Sequence, residues 1–464
     1  MRVTAADARA LSGAEFRGST RWIARGVSTD SRTTAAGDLF VALRGERFDG
    51  HRFLAEAARR GAVAAVVADD PATDPGIPLV RVPDTLLALG EMARGYRRRF
   101  SLPVLAVAGS NGKTTTKEMI AAVLGRRYRV LATDGNLNNQ IGVPLTLFRL
   151  HGRHEIAVVE IGTNHPGEIQ TLCEILEPTH GLVTGIGREH LEFFGSLDGV
   201  AREEGAVLEY LRAARGAVAF VNADDPRLVA MTGGLRHAVT YGFRRRTLDV
   251  RGSAVRLDAS GRPRFQIRAR RWKRPRTVAL SVPGRHNAGN ALAAAAVGVR
   301  FRVPAEKICT ALEEFQGPHG RMEIVQAAGV TILDDTYNAN PDSVVAALET
   351  LAETATEGKR IAVLADMREL GESGPAEHGR IGEVLSGLGI GYLLTYGPLA
   401  KHTSDSARCP FVAHYDQQNV LAEYLAELVT PGDTVLVKGS RAMHMNDVVT
   451  FLMERLNASA GGPA

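Results

Sequence analysis

The stretch Leu102–Thr116, "LPVLAVAGSNGKTTT", decides how this chain is to be read. An apolar run of strand length ends in Gly109, and a helix-forming segment starts after a second glycine, Gly112. The glycines let backbone N–H groups curl around a phosphate, and the helix N-terminus adds positive potential. Lys113 brings a mobile charge, and Thr114 a hydroxyl suited to Mg²⁺. The loop is shorter than the P-loop pattern with four residues between its glycines, and a plain Gly-rich turn capped by threonines is the competing reading.

Outward from this loop, short apolar runs alternate with amphipathic stretches. That pattern predicts parallel sheets with helices on both faces. "EIAVVEIG", "HGLVTGIG" and "GAVAFVNADDP" continue a first block, and "VTILDDTYN", "KRIAVLADM", "GYLLTYG", "CPFVAHY" and "DTVLVKGS" form a second. The fold class expected is therefore α/β in three domains: a small N-terminal α/β substrate domain at 1–100, a central phosphate-loop parallel-sheet domain at 101–316, and a C-terminal Rossmann-like domain at 317–464. The first boundary follows a helix ending in Arg97, Arg98 and Arg99, whose charges suit a helix C-terminus. The second lies at "FQGPHGRME", where Gly317, Pro318 and Gly320 make a hinge. "NASAGGPA" at 457–464 reads as a frayed tail.

Length and composition agree. The chain has 464 residues, 45% hydrophobic and 23% charged, enough to bury several cores. Its apolar runs are too short to cross a bilayer, and no secretory leader is evident at the N-terminus, so a cytoplasmic protein without membrane insertion is expected. Cys173, Cys309 and Cys409 are too scattered for a disulfide framework and read as buried thiols. A net charge of +5 suits an anionic small substrate but does not by itself imply nucleic acid. The exception is Phe243–Arg276, strongly basic and alternating, which reads as a half-exposed hairpin, either a solvated strand face or a patch for a partner.

Polar residues at strand ends are the remaining signal, because loops at the carboxyl ends of strands hold ligands in open α/β sheets. Glu160 closes "AVVE" and is a candidate metal ligand with hard oxygen donors. His190, after "HGLVTGIG", is a candidate for metal or phosphate contact. Asn136, Asn138 and Asn139 crowd one Gly-bounded loop, serving either turn chemistry or substrate recognition. Asn287 and Asn290 share a helix face, as part of a capped core helix or as amides that recognise a base or phosphate. Arg321, just past the hinge, is placed to reach a γ-phosphate on domain closure. Asp334 and Asp335 end a strand, Asp342 or Ser343 could cap the next helix, and Lys438 occupies the same strand-edge position as Glu160 and Asp366.

Taken in order, "STDSR…GDLFVAL", "GSNGKTTTKEM", "GNLNNQIGVP", "VVEIGTNHPGEI", "HLEFFGSLDGVA", "NADDP", "GRHNAGNALAA", "GRME", "DDTYNANPDS", "LADMRELGE" and "VKGSRAMHM" resemble the Mur ligases over nearly the whole chain. "GNLNN", "GTNHPGEI" and "YNANPDS" point to the member that joins D-alanyl-D-alanine to UDP-N-acetylmuramoyl-tripeptide in peptidoglycan synthesis. The resemblance implies ATP and Mg²⁺ as cofactors and an acyl-phosphate intermediate. It implies that Ser31 and Arg32 bind the uridine end and that Gly109, Ser110, Asn111, Gly112, Lys113, Thr114 and Thr115 hold the nucleotide phosphates. Thr114, Glu160 and His190 would hold metal, Asn287 the adenine, Arg321 the phosphates and Asp335 the ribose. Asn139, Thr163, Asn338, Asn340 and Lys438 would face the sugar-nucleotide or the dipeptide. One position departs from the family. Where a carbamylated lysine usually follows the histidine by about fourteen residues, this chain has Glu204, which either supplies the carboxylate directly or is a helix-surface glutamate. Runner-up readings are another amino-acid-adding ligase of the superfamily, and a kinase or ATP-gated regulator. A monomer is expected.

Overall fold

The computed structural model describes residues 1–45 and 48–460. Three mixed α/β units follow one another along the chain, each built on its own sheet. In the N-terminal unit the sheet order is Glu15–Arg17, Leu79–Arg81, Ala64–Val67, Asp38–Val41, Gly26–Ser28, antiparallel only at the first pair. Its central strand, Ala64–Val67, is fully buried.

The central unit carries a nine-stranded sheet. Val104–Ala108 lies between Ile156–Glu160 and His180–Val183, all parallel. These strands are buried on both faces, which is why they read as unbroken apolar runs rather than alternating ones. The basic segment forms the hairpin expected of it: Val250–Leu257 pairs antiparallel with Pro263–Ala269, and Arg276–Ala279 closes the sheet edge. The Ala-rich helix Arg285–Arg300 packs on the inner face of this sheet and against the helix Lys113–Gly125 that follows the phosphate loop.

The C-terminal sheet runs Glu323–Ala327, Val330–Asp335, Thr434–Lys438, Arg360–Ala365, Tyr392–Tyr396, Phe411–Tyr415, parallel except at its first pair. Every strand run picked out in the sequence is a strand here.

Arg97 closes the last turn of the helix Thr85–Arg97, as expected, and donates to Phe100 O just beyond it. It also serves a neighbouring helix: it is buried and donates to the carbonyls of Leu176 and Glu177, where the helix Glu168–Leu176 ends, while Arg98 pairs with the Glu177 carboxylate. The cation therefore meets the negative end of another helix dipole. One continuous apolar core also runs from Leu89, Met92 and Ala93 of the helix Thr85–Arg97 into Leu147, Ile169 and Leu172 of the central unit. Finally, the last helix, Asn446–Ala460, extends through part of the expected tail, whose residues 461–464 lie outside the described ones. Cys173 and Cys309 are buried as expected, and Cys409 is only half-buried.

Candidate active site

The carboxyl ends of the central strands open into a cleft of about 1440 Å³ that the C-terminal unit covers from the other side. The phosphate loop forms its floor. Gly109 (φ 117°) and Gly112 (φ 77°) adopt backbone conformations that favour glycine. A Cβ on Gly109 would sit 2.3 Å from the Thr184 hydroxyl, and one on Gly112 2.6 Å from Asn290 Oδ1, so close packing also excludes larger residues. The loop is fastened to the adjacent strand by the Ser110 N–H, which donates to Gly185 O at 2.9 Å, and by the Thr184 hydroxyl, which donates to Asn111 O at 2.6 Å.

Around Lys113, the first residue of the helix, the site gathers carboxylates. Its ammonium lies 3.4 Å from Glu189 Oε2 and 3.9 Å from Glu204 Oε1. Burial alone would lower the Lys113 pKa, but Glu189, Glu204 and Glu160 outweigh it and hold the ammonium above its ordinary range. Burial pushes the Glu189 carboxyl well up; Lys113 opposes this and the Glu204 charge adds to it. Glu204 is fully buried, so it is not a helix-surface residue. Its Oε2 accepts from the Gly109 N–H at 2.6 Å, while Oε1 has no hydrogen-bond partner.

A second acidic position lies beside it. The Thr114 hydroxyl donates to Glu160 Oε1 at 3.1 Å, and Asn138 Nδ2 donates to the same oxygen at 2.9 Å. Glu160 Oε2 is buried and unpartnered. Unmatched carboxylate oxygens are costly in an interior unless a cation meets them, so the donor set fits a hard divalent ion. Among the described residues no three His, Cys, Asp or Glu side chains cluster tightly enough to cage a metal on their own. Such an ion would draw its other ligands from phosphate and water, as Mg²⁺ does.

The remaining expected residues divide. Thr115 and Thr163 line the cleft, the latter with its hydroxyl donating to His165 O. Asn139 also lines it, but its Oδ1 accepts the Ile141 and Gly142 N–H groups and starts the helix Gly142–Phe148, so that oxygen is used in turn chemistry. Asn287 is buried with its amide engaged at both ends: Nδ2 donates to Pro283 O and Oδ1 accepts from Asn290. Lys438, almost fully buried, is held in an ion pair at 2.6 Å with Asp335 Oδ2 and donates to Asn338 O. Asp335 Oδ1 in turn accepts the Met322 N–H, next to Arg321. Ser31 and Arg32 are not among the cleft-lining residues. Ser31 is buried in the N-terminal unit, and Arg32 bonds to Asp30 within its own turn.

Several contacts between the units were not foreseen. The N-cap of the helix Pro341–Glu353 is Asn340 rather than Asp342, and Ser343 completes the cap: Asn340 Oδ1 accepts the Ser343 N–H, the Ser343 hydroxyl oxygen accepts the Asn340 N–H at 3.0 Å, and Asn340 Nδ2 donates to Oδ1 of Asn111 in the phosphate loop at 2.9 Å. Asp342, freed from capping, accepts the Arg188 N–H at 2.6 Å and its guanidinium at 3.0 Å. His190 Nδ1 is 2.7 Å from Glu369 Oε2, an ion-pair geometry whose imidazole keeps the Glu369 carboxyl below its ordinary range. Arg321 stacks on the Tyr337 ring with its guanidinium carbon 3.9 Å from the centroid, and Arg441 Nη1 donates to the Tyr337 hydroxyl. The stacking fixes a long side chain at the cleft wall.

A phosphate loop facing a second α/β unit across such a cleft defines a nucleotide-dependent enzyme of the Mur ligase type, and the chain belongs to that family. Family models match along its length: "Mur ligase family, catalytic domain" at 24–97, "Mur ligase middle domain" at 107–298 and "Mur ligase, glutamate ligase domain" at 320–441. It is similar to the UDP-N-acetylmuramoyl-tripeptide–D-alanyl-D-alanine ligase of Escherichia coli, 37% identical over 92% of this chain and 93% of the relative. The Bacillus subtilis enzyme of the same name is 35% identical over 93% and 94%. Among solved structures, MurF from Acinetobacter baumannii superposes with a TM-score of 0.90 at 33% identity, covering 98% of this chain and 99% of that one. MurF from Thermotoga maritima in complex with ADP gives 0.83 at 30% identity, covering 94% and 98%.

Proposed function

We propose that this protein is an ATP-dependent ligase that joins D-alanyl-D-alanine to UDP-N-acetylmuramoyl-tripeptide in peptidoglycan precursor synthesis. The observation that carries this reading is the Lys113 loop and its carboxylates facing Arg321 across one cleft, in a chain alike over nine-tenths of its length to ligases so named. The units 1–100, 101–316 and 317–464 act respectively as the uridine-substrate, ATP and acceptor domains. Ser31 and Arg32 belong to the first role. Helices here are too short and polar to cross a membrane among the described residues. We assign the protein to the cytoplasm, as a monomer.

The chemistry follows from what amide formation needs. A carboxylate is a poor electrophile. Its oxygen attacks the γ-phosphorus, the bond to the ADP oxygen breaks, and an acyl phosphate results. The dipeptide amine then attacks the carbonyl carbon, loses a proton, and the tetrahedral adduct expels phosphate. Negative charge spreads over the transferring group, so the chain's task is electrostatic. Lys113 supplies an ammonium held among carboxylates at the cleft floor, and the backbone N–H groups of 111–114, at the start of the helix, are placed to meet the phosphates. Mg²⁺, held by Thr114 and Glu160 with Glu204 in place of a carbamate, supplies further positive charge when bound. Arg321, braced on Tyr337, meets the phosphates from the opposite wall, and Asp335 is held ready for the ribose by Lys438. Closure of the C-terminal unit excludes water that would hydrolyse the acyl phosphate.

The contacts between Arg188 and Asp342 and between Asn111 and Asn340 hold the two units in the state that brings Arg321 to the loop. Asp342→Ala is expected to lower kcat about tenfold and to shift the scattering profile of the nucleotide-bound enzyme toward a more open form. An unchanged kcat and profile would show that the pair is not needed for closure.

The assignment is tested by a panel of acceptor amines given to purified protein with ATP and UDP-N-acetylmuramoyl-tripeptide. D-alanyl-D-alanine should be consumed in preference to single amino acids. Equal or better use of glutamate, lysine or diaminopimelate would point to another ligase of the superfamily, and phosphorylation without any amine to a kinase.

A further inference from the structure

The most uneven feature of the chain outside the cleft is its charge. From Phe243 to Arg276 there are thirteen Arg or Lys residues and two acidic ones, a net of +11, whereas the whole chain is only +5. Everything outside this segment therefore sums to a net negative charge. The segment folds into the last strands of the central sheet, and the pleat sorts it into two faces. Phe265, Ile267 and Ala269 are buried with the Arg285–Arg300 helix, whereas Arg264, Gln266, Arg268 and Arg270 alternate with them and are exposed.

On that outer face the register sets like charges opposite one another. Arg251 faces Arg268, and Arg256 faces Arg264. Directly opposed like charges weaken a sheet. Compensation there is sparse: Asp249 lies 3.5 Å from Arg270, and the other edge pair, Arg276 with Glu306, lies on the opposite face beside Ile267. At the end of the hairpin where Val250 pairs with Ala269, two exposed basic loops, Arg244–Arg246 and Arg271–Arg274, flank the face. A sheet that keeps unpaired arginines in register, on an otherwise acidic protein, is shaped for a planar array of anions.

We infer that the outer face of the Val250–Leu257, Pro263–Ala269 and Arg276–Ala279 strands docks this protein onto the anionic surface of a lipid bilayer. Nucleic acid fits the face less well. Sheets that read single strands stack bases on exposed aromatic rings, and this face presents only Arg, Gln, Ser, Thr and Ala; Trp272 packs instead against the core beneath. A duplex groove needs a protruding helix or ribbon, and the three strands lie side by side. With no apolar residue to insert, the attachment is electrostatic, reversible and weakened by salt.

Co-sedimentation of the full chain with vesicles tests this. The wild type should pellet with vesicles of equal parts phosphatidylglycerol and phosphatidylcholine at low salt, and stay in solution with phosphatidylcholine alone. The variant R256Q/R264Q/R268Q should bind the anionic vesicles on the order of a hundredfold more weakly, because each basic group near an anionic surface adds several-fold. R256K/R264K/R268K should bind like the wild type, and both variants should keep ligase activity in solution and their melting temperature. Equal vesicle binding by the glutamine variant, binding that ignores salt or lipid charge, or tighter binding of a single-stranded RNA than of the vesicles would overturn the inference.

Discussion

Replacing Lys113 by alanine is expected to reduce ligase turnover roughly a thousandfold, the scale set by losing one fixed charge at a developing anion. The expectation rests on where the ammonium sits. It is enclosed by Glu189, Glu204 and Glu160 and stays charged despite burial. No other Lys or Arg makes an ion pair with those three carboxylates among the described residues, so nothing nearby replaces it. The substitution also leaves buried acids without their counter-charge, which costs stability. Circular dichroism and nucleotide binding should therefore accompany the assay, to separate a folded, inactive enzyme from an unfolded one. A folded Lys113→Ala protein with wild-type turnover would remove the phosphate loop from the mechanism.

Glu204 carries the second large effect. Its two oxygens have different duties: Oε2 holds the loop through the Gly109 N–H, and Oε1 is left unpartnered beside Lys113. Alanine removes both. Glutamine keeps the size and can still accept from Gly109, but loses the charge. Glu204→Ala should cost a hundredfold or more in turnover, roughly what one electrostatic group in a dry site supplies. Glu204→Gln should bind nucleotide normally yet require much more Mg²⁺ to reach half its maximal rate. Because Glu204 is a carboxylate at the position where the resemblance to the Mur ligases implies a carbamylated lysine, wild-type activity should not change in bicarbonate-free buffer. Wild-type Mg²⁺ dependence in the glutamine variant, or loss of wild-type activity on removing CO₂, would show that Glu204 does not take the carbamate's place.

Much of this site could be read from single strands. A charged residue at the carboxyl edge of an apolar run is costly unless used, and that argument alone singled out Glu160 and Lys438. The glycines and Lys113 were legible because a phosphate loop has a local geometry that only a few residue types satisfy. What stayed hidden depends on chain segments far apart in sequence. Asp342 reads as a helix cap, and only the folded molecule shows that Asn340 caps the helix and releases Asp342 to Arg188. Glu369 gave no signal of its own, since its partner His190 lies in the central unit. Glu189, flanked by Arg188 and His190, could have been flagged as an acidic residue in a charged triplet just past a strand end. The arginines at 97–99 were legible as the basic end of their own helix, but their second use at a neighbouring helix end was not.

The central claim is that the terminal carboxylate of the peptide substrate takes the γ-phosphoryl group of ATP before the amine attacks. Labelling that carboxylate with oxygen-18 and measuring the mass of the released phosphate tests it most directly. Each phosphate should carry one labelled oxygen, because the carbonyl–oxygen bond is the one that breaks when the amine displaces phosphate. Unlabelled phosphate, formed alongside the joined peptide, would mean that ATP is cleaved without ever activating the acid.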